Sequence, residues 1–324
     1  MGLSLLGYRP WTGGTLRGAW RSPWPIARIA LRMVFRRKLF WVLYVLALLN
    51  FMIFFSGIYL LAQVDLLLEQ EEVAGQLQKL PLGGKGIFPV VERLANSLKR
   101  GLGLTGDAAT YRNFFWYQGY IVMATLALAG SVVIGNDYQH GSLPFYLSKP
   151  LGRWHYLAGK FLALALFITM MTTLPALALY LEFGLLGDWS YLRENLNLVW
   201  GILGYGAAVT VVLSLLVLAT ASWLRKTVPM VLVWVGLLFF CRVLSRLLVD
   251  RLRLDPSWRL IDIWNSLYIV GSKCLGTAAE LSSRRNRPQP PQPEWWEAAL
   301  VLGAIVVTCL IYLNRRIRAV EIVR

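Results

Sequence analysis

Long apolar runs separated by short polar intervals organise this chain. The runs fall at about 39–63, 114–134, 161–181, 198–222, 228–248 and 296–313. About 20 apolar residues in helical conformation cross a bilayer, so the pattern predicts an all-α integral membrane fold with six transmembrane helices. Two intervals are long. Residues 64–113 carry six basic and six acidic residues and break at Gly83-Gly84-Lys85-Gly86. Short amphipathic patterns flank that break (Leu66, Val73, Leu77, Leu80, then Val91, Leu94, Leu98), which predicts a small helical cap outside the membrane. In the second interval, 250–295, residues Leu260, Ile261, Trp264, Leu267 and Tyr268 have the spacing of an amphipathic helix. Such a helix lies along the membrane surface or dips into it. A stiff Arg287–Pro293 linker follows,.

Three features refine the spans. Pro175 should bend the third, with Thr172 and Thr173 placed to satisfy the carbonyls it frees,. The fifth is purely apolar only from Val228 to Cys241, and then carries Arg242, Arg246 and Asp250 at four-residue steps. Two readings stand for these arginines. They snorkel to headgroups, with Arg246 paired to Asp250, or Arg242 and Arg246 contact an anionic substrate. Before the first span, Ile26, Ile29, Ala30 and Met33 form an apolar stripe from Pro25 onward, while Arg28, Arg32 and Arg36 recur every four residues. That is an amphipathic helix in the headgroup region, its arginines reaching anionic lipid.

Composition agrees with a membrane protein: 57% of residues are hydrophobic and 15% charged, against about 25% charged in soluble domains. The net charge of +16 would raise nucleic acid as a partner, but its distribution excludes that. With the N-terminus inside, segments 1–38, 135–160, 223–227 and 314–324 hold 17 Lys/Arg and two acidic residues, Asp137 and Glu321. This is the positive-inside pattern, with both termini cytoplasmic. Residues 1–38 then form a basic cytoplasmic segment and 39–324 the six-span domain. Trp41, Trp116, Trp200, Trp223, Trp295 and Trp296 fall at expected span ends, as in an aromatic belt,. The first 25 residues mix arginine, tryptophan and glycine without a compact apolar core, so no cleavable signal peptide is expected,.

Chemistry within the chain is sparse. Spans one to four carry no ionisable residue at their centres, which argues against an ion-coupled carrier or intramembrane enzyme,. No GxxxxGK[ST], nucleophile elbow or HExxH occurs,. His140, His155, Cys241, Cys274 and Cys309 have no metal-ligand spacing,. No catalytic, cofactor or metal site is expected on this chain. What remains is the polar segment 136–160 between spans two and three. Gly141 permits a tight turn, Ser142 can cap a helix, and Pro144 suits its first turn. Phe145, Tyr146 and Leu147 supply bulk, Lys149-Pro150 stops the helix, and Arg153-Trp154 returns to the membrane,. Spacing alone leaves two readings: a capped re-entry turn, or a lever presented to a soluble partner.

Asp137-x-x-x-Gly141-Ser142-Leu143, followed by Leu147-Ser148-Lys149-Pro150-Leu151-Gly152-Arg153 and then Tyr156-Leu157-x-Gly159-Lys160, resembles the coupling segment of ABC-2 type ABC transporter permeases. That pattern is an acidic residue, Gly-Thr-Leu, a short helix, Ser-x-Pro-apolar-Ser/Thr-Arg, and Gly-Lys opening the next span. Here Asp137, Ser142 and Gly152 stand where Glu, Thr and Ser or Thr are usual, and Pro144 is atypical. The layout is most similar to the subgroup with a long outer loop between spans one and two. The resemblance implies that a cytoplasmic coupling helix docks on a separate ABC-type ATPase, which holds ATP and Mg. Asp137, Gly141, Ser142, Leu143, Phe145, Tyr146, Leu147, Pro150 and Arg153 would form the docking surface. It also implies a second permease copy or paralogue as partner, an export function and a bacterial inner-membrane location. The alternative is a membrane anchor or assembly subunit that does not itself transport.

Overall fold

A computed structural model describes residues 23–69, 81–82, 85–86, 93, 97, 102–130, 153–186, 189–224, 227–277 and 291–316. Helix α1 (Pro23–Phe35) turns at Arg36–Arg37 into α2 (Lys38–Glu69). Two-residue strands β1 (Pro81–Leu82) and β2 (Lys85–Gly86) pair antiparallel. Then come α3 (Ala108–Gly130), α4 (Arg153–Met171), α5 (Thr173–Leu186), α6 (Trp189–Glu194) and α7 (Leu196–Leu224). Helix α8 (Thr227–Val235) continues through a π-turn, Gly236–Phe240, into α9 (Cys241–Arg246) and a second π-turn, Leu247–Arg251. A 3-10 helix, Pro256–Ile261, leads to α10 (Ile263–Cys274), and α11 (Trp295–Arg316) ends the described chain.

Among the described residues, five helical runs are long and apolar enough to cross a membrane: Lys38–Gln63, Trp154–Leu186, Leu196–Leu224, Val228–Arg251 and Trp295–Arg316. Helix α3 is not among them, because Asn113, Tyr117, Gln118 and Tyr120 dilute its apolar content and its described part stops at Gly130. Its 23 residues still reach about 34 Å at 1.5 Å per residue. It lies deep in the bundle, with Tyr111, Phe114, Phe115, Val122 and Leu126 fully buried. The π-turns keep α8 and α9 helical past Cys241, so this run is longer than its apolar stretch.

Helix α7 is the hub. It packs on α3, α4, α5, α10 and α11, and Tyr205 stacks on Phe115 of α3 at 4.3 Å between centroids. At the end of the bundle away from α1, Tyr191 donates to the Gly106 carbonyl at 2.6 Å and meets the Tyr111 hydroxyl at 3.0 Å. This ties α6 to α3.

Four expectations change. Helix α10 does not lie along a surface, the first of the two placements expected for it. Both its apolar stripe (Trp264, Leu267, Tyr268) and its opposite side (Asn265, Ser266, Ser272) are buried among α3, α7 and α11. Asp262 caps it, accepting from the Trp264 and Asn265 N–H groups at 3.0 and 3.3 Å. Trp116 does not face outward as a belt residue would: half-buried on α3, which begins six residues before the expected span, it packs on Tyr268 at 4.8 Å between centroids. Asp250 does not serve Arg246. The chain reverses at 252–255, with Arg253 at φ 52°, and brings buried Arg259 back to Asp250 at 2.6 Å. On α1 the buried face is Ile26, Ala27, Ala30 and Val34, while Ile29 is 50% exposed.

Candidate functional site

The α1 end of the bundle is built on a close helix–helix contact. Residues 153–160, expected in a loop, form the first turns of α4, and α1 packs along them. Gly159 makes this approach feasible: a Cβ there would stand 2.7 Å from Ile26 Cβ and 2.9 Å from the Pro23 carbonyl oxygen, closer than side chains tolerate. Lys160 follows and is buried, not solvated, its ammonium 5.6 Å from the Tyr156 ring centroid. Helix α1 therefore has two working faces. Ile26, Ala27, Ala30 and Val34 grip the protein, while Trp24, Ile29, Arg28 and Arg32 face outward, and Arg36 in the turn that follows is also exposed. A basic, partly apolar outer face of this kind suits an anionic headgroup layer.

Midway along the bundle lies a polar junction. Pro175 has no N–H, so the Met171 carbonyl four residues earlier loses its helical donor. Gln118 of α3 supplies the donor instead, its Nε2 reaching Met171 O at 2.7 Å. Gln118 Oε1 in turn accepts from Asn50 Nδ2 of α2 at 2.8 Å. Thr172, the residue between α4 and α5, donates to the Ile168 carbonyl at 2.8 Å. The carbonyl freed by Pro175 is thus satisfied from a neighbouring helix and not by the adjacent threonines. Interhelical hydrogen bonds in membranes are worth about 0.6–2 kcal/mol each, enough to orient helices and weak enough to exchange.

At the level of this junction on α3, the Arg242 guanidinium sits between two rings, 4.9 Å from the Trp116 centroid and 4.8 Å from Tyr120. Such contacts strengthen where water is excluded. Asp262, outside the spans, lies near enough to feel Arg242. Burial pushes its carboxyl above the usual range, while the capped N–H groups and Arg242 partly offset this. Arg246, one turn on, is exposed.

The family model described as ABC-2 family transporter protein matches residues 24–313, nearly the whole chain. This chain belongs to the ABC-2 transporter family. No curated protein matches it. By its family it is a transport permease, and its several long apolar helices agree with a multi-pass membrane protein.

Within this ABC-2 permease, Asp137, Gly141, Ser142, Leu143, Phe145, Tyr146, Leu147 and Pro150 lie outside the described residues. Arg153 is the first residue of α4. Arg28 and Arg32 share the exposed side of α1, Arg36 is exposed in the turn that follows, and the structure brings that helix to α4. Arg242 and Arg246 are separated in role, one engaged by rings and one open. Sequence reasoning missed two contacts of consequence, one of Gln118 and one of Arg259. Gln118 had a signal, as a lone amide in an apolar run facing a proline-bearing span. The Arg259–Asp250 pair had none, since only the chain reversal brings its members together.

Proposed function

We propose that this permease is the membrane subunit of an exporter driven by a separate cytoplasmic ABC-type ATPase. Six spans, with both termini cytoplasmic, would sit in a bacterial inner membrane, paired with a second copy or a paralogue in the long-outer-loop subgroup. ATP and Mg would be held by the ATPase, which docks on Asp137, Gly141, Ser142, Leu143, Phe145, Tyr146, Leu147, Pro150 and Arg153. The observation that carries this reading is the seating of α1 on the first turns of α4. That is the helix into which the docking segment leads, so a push on the segment would move α1 and α4 as one body. Arg28, Arg32 and Arg36 would hold that body at the lipid surface. The open guanidinium of Arg246 is the group proposed to meet an anionic cargo at the outer end, with Arg242 behind it held by Trp116 and Tyr120.

Co-purification with a co-expressed ABC-type ATPase that the wild-type permease retains tests the docking. Gly141→Trp and Leu147→Asp should each abolish recovery of the ATPase while leaving the permease monodisperse. Recovery of the ATPase with both variants overturns the docking assignment.

A further inference from the structure

The junction at Gln118 is built so that one bond controls a bend. A carbonyl only accepts, so the Met171 oxygen compels Gln118 to present Nε2 and leaves Oε1 for Asn50,. Gln118 is 1% exposed, so no bulk water can replace the bond if it breaks. The freed carbonyl lies at the division between α4 and α5, where Thr172 interrupts the helix. Hydrogen bonds continue around the gap, from Thr172 N to Ile168 O at 2.9 Å and from Ala176 N to Thr172 O at 3.1 Å. The break is therefore confined to the one site Pro175 creates, which is what a hinge needs and what a general weakness in the helix lacks. On one side of it α4 carries α1. On the other, α5 is anchored through Tyr180, which donates to the Leu192 carbonyl at 2.7 Å. Thr173 presses on α7 where Gly206 leaves no room for a Cβ.

We infer that Gln118 is a positioning residue for the transport cycle. By clamping the Met171 carbonyl it sets the angle between α4 and α5, and its release lets α4, with α1, pivot about the Thr172–Pro175 break. Asn50 holds the other end of the amide, so Gln118 keeps a partner while the clamp is open. What drives the pivot rests on the docking reading above. Whether the clamp governs the bend does not, because it is measured on the permease alone.

The experiment uses the full chain in lipid nanodiscs, with Cys241, Cys274 and Cys309 replaced. Spin labels are placed at Ala158→Cys on α4 and Trp223→Cys on α7, both exposed. Pulsed electron resonance then reads the distance across the α1 end of the bundle. A kink change on the order of 20°, acting over the length of α4, shifts this distance by several ångström. Gln118→Leu should shift or broaden the distribution. Pro175→Ala restores an N–H that reclaims the Met171 carbonyl, so in that background Gln118→Leu should leave the distribution unchanged. A shift of equal size in both backgrounds, or none in either, overturns the inference, since a residue that merely fills space acts regardless of Pro175. If Gln118→Leu does not fold, Gln118→Met, similar in length but without donors, is read the same way. Loss of ATPase docking elsewhere leaves this result standing, and the reverse also holds.

Discussion

Helices α7 and α2 have almost the same mean hydropathy, 2.3 and 2.2, yet 67% of the first window is buried in the protein and 17% of the second. The difference is written in small and polar positions. Along α7, Gly201 and Gly206 admit neighbouring segments so closely that a Cβ would collide with the Cys274 carbonyl at the first and with Thr173 at the second. Ser214 and Ser222 are fully buried. Helix α2 instead touches the protein along one stripe, Phe40, Ala47, Phe54, Ile58 and Leu61, at the three-, four- and seven-residue steps of a helix face. Asn50 lies in that stripe, and the exposed Leu, Val and Trp around it suit lipid. Lipid tails are as apolar as leucine, so hydrophobicity does not sort helices within a membrane. Close packing and interhelical hydrogen bonds do.

That contrast can be broken by substitution. The largest effect should come from the one stripe of α2 that packs inward. Phe54, fully buried and edge-on to Phe114 at 5.5 Å, should lose about 3–5 kcal/mol on Phe54→Ala, seen as a lower thermal midpoint in detergent. Phe55→Ala, at a residue 38% exposed, should leave the midpoint nearly unchanged. Equal losses at both positions would mean that α2 packs on another face. On α7, Gly206→Leu should cost about 1–3 kcal/mol through overpacking against Thr173. The same change at Gly303 of α11, where a Cβ meets nothing within 4 Å, should be tolerated.

The smallest effect concerns α10, the helix buried against α7 by its polar as well as its apolar side. Asp262 has a folded pKa above its ordinary value, so the folded state binds its proton more tightly than the unfolded state does. Its contribution to stability is therefore fully present below the ordinary carboxylate pKa and is lost as pH rises through the raised value. Asp262→Asn keeps a capping side chain and should flatten that decline in thermal midpoint. A variant whose pH profile stays as steep would show that the slope arises elsewhere.

The helices themselves were legible because each is a long apolar run, and the extensions of α4 and α3 were missed for a local reason. Arg153, Lys160 and Arg112 read as loop residues, yet Lys160 and Arg112 are buried within helices. Charged side chains at span ends can continue a helix where a neighbour covers or receives them, and a linear pattern carries no record of the neighbour. On α1 only Ile26 and Ala30 of the expected stripe belong to the buried face, for a related reason. Two apolar faces, one for protein and one for lipid, overlap in a single amphipathic pattern.

The apolar runs and the motif in residues 136–160 were enough to expect a multi-pass permease of the ABC-2 family, which the family match over residues 24–313 then showed, since bilayer thickness and family motifs are both linear in the chain. Only the tertiary structure decided that α7 is central and α2 peripheral, that α10 is embedded, and that Gln118, not Thr172 or Thr173, answers the carbonyl freed by Pro175. Those outcomes depend on which backbones approach closely enough to exchange hydrogen bonds. That is a property of pairs of helices, and no single run of residues contains it.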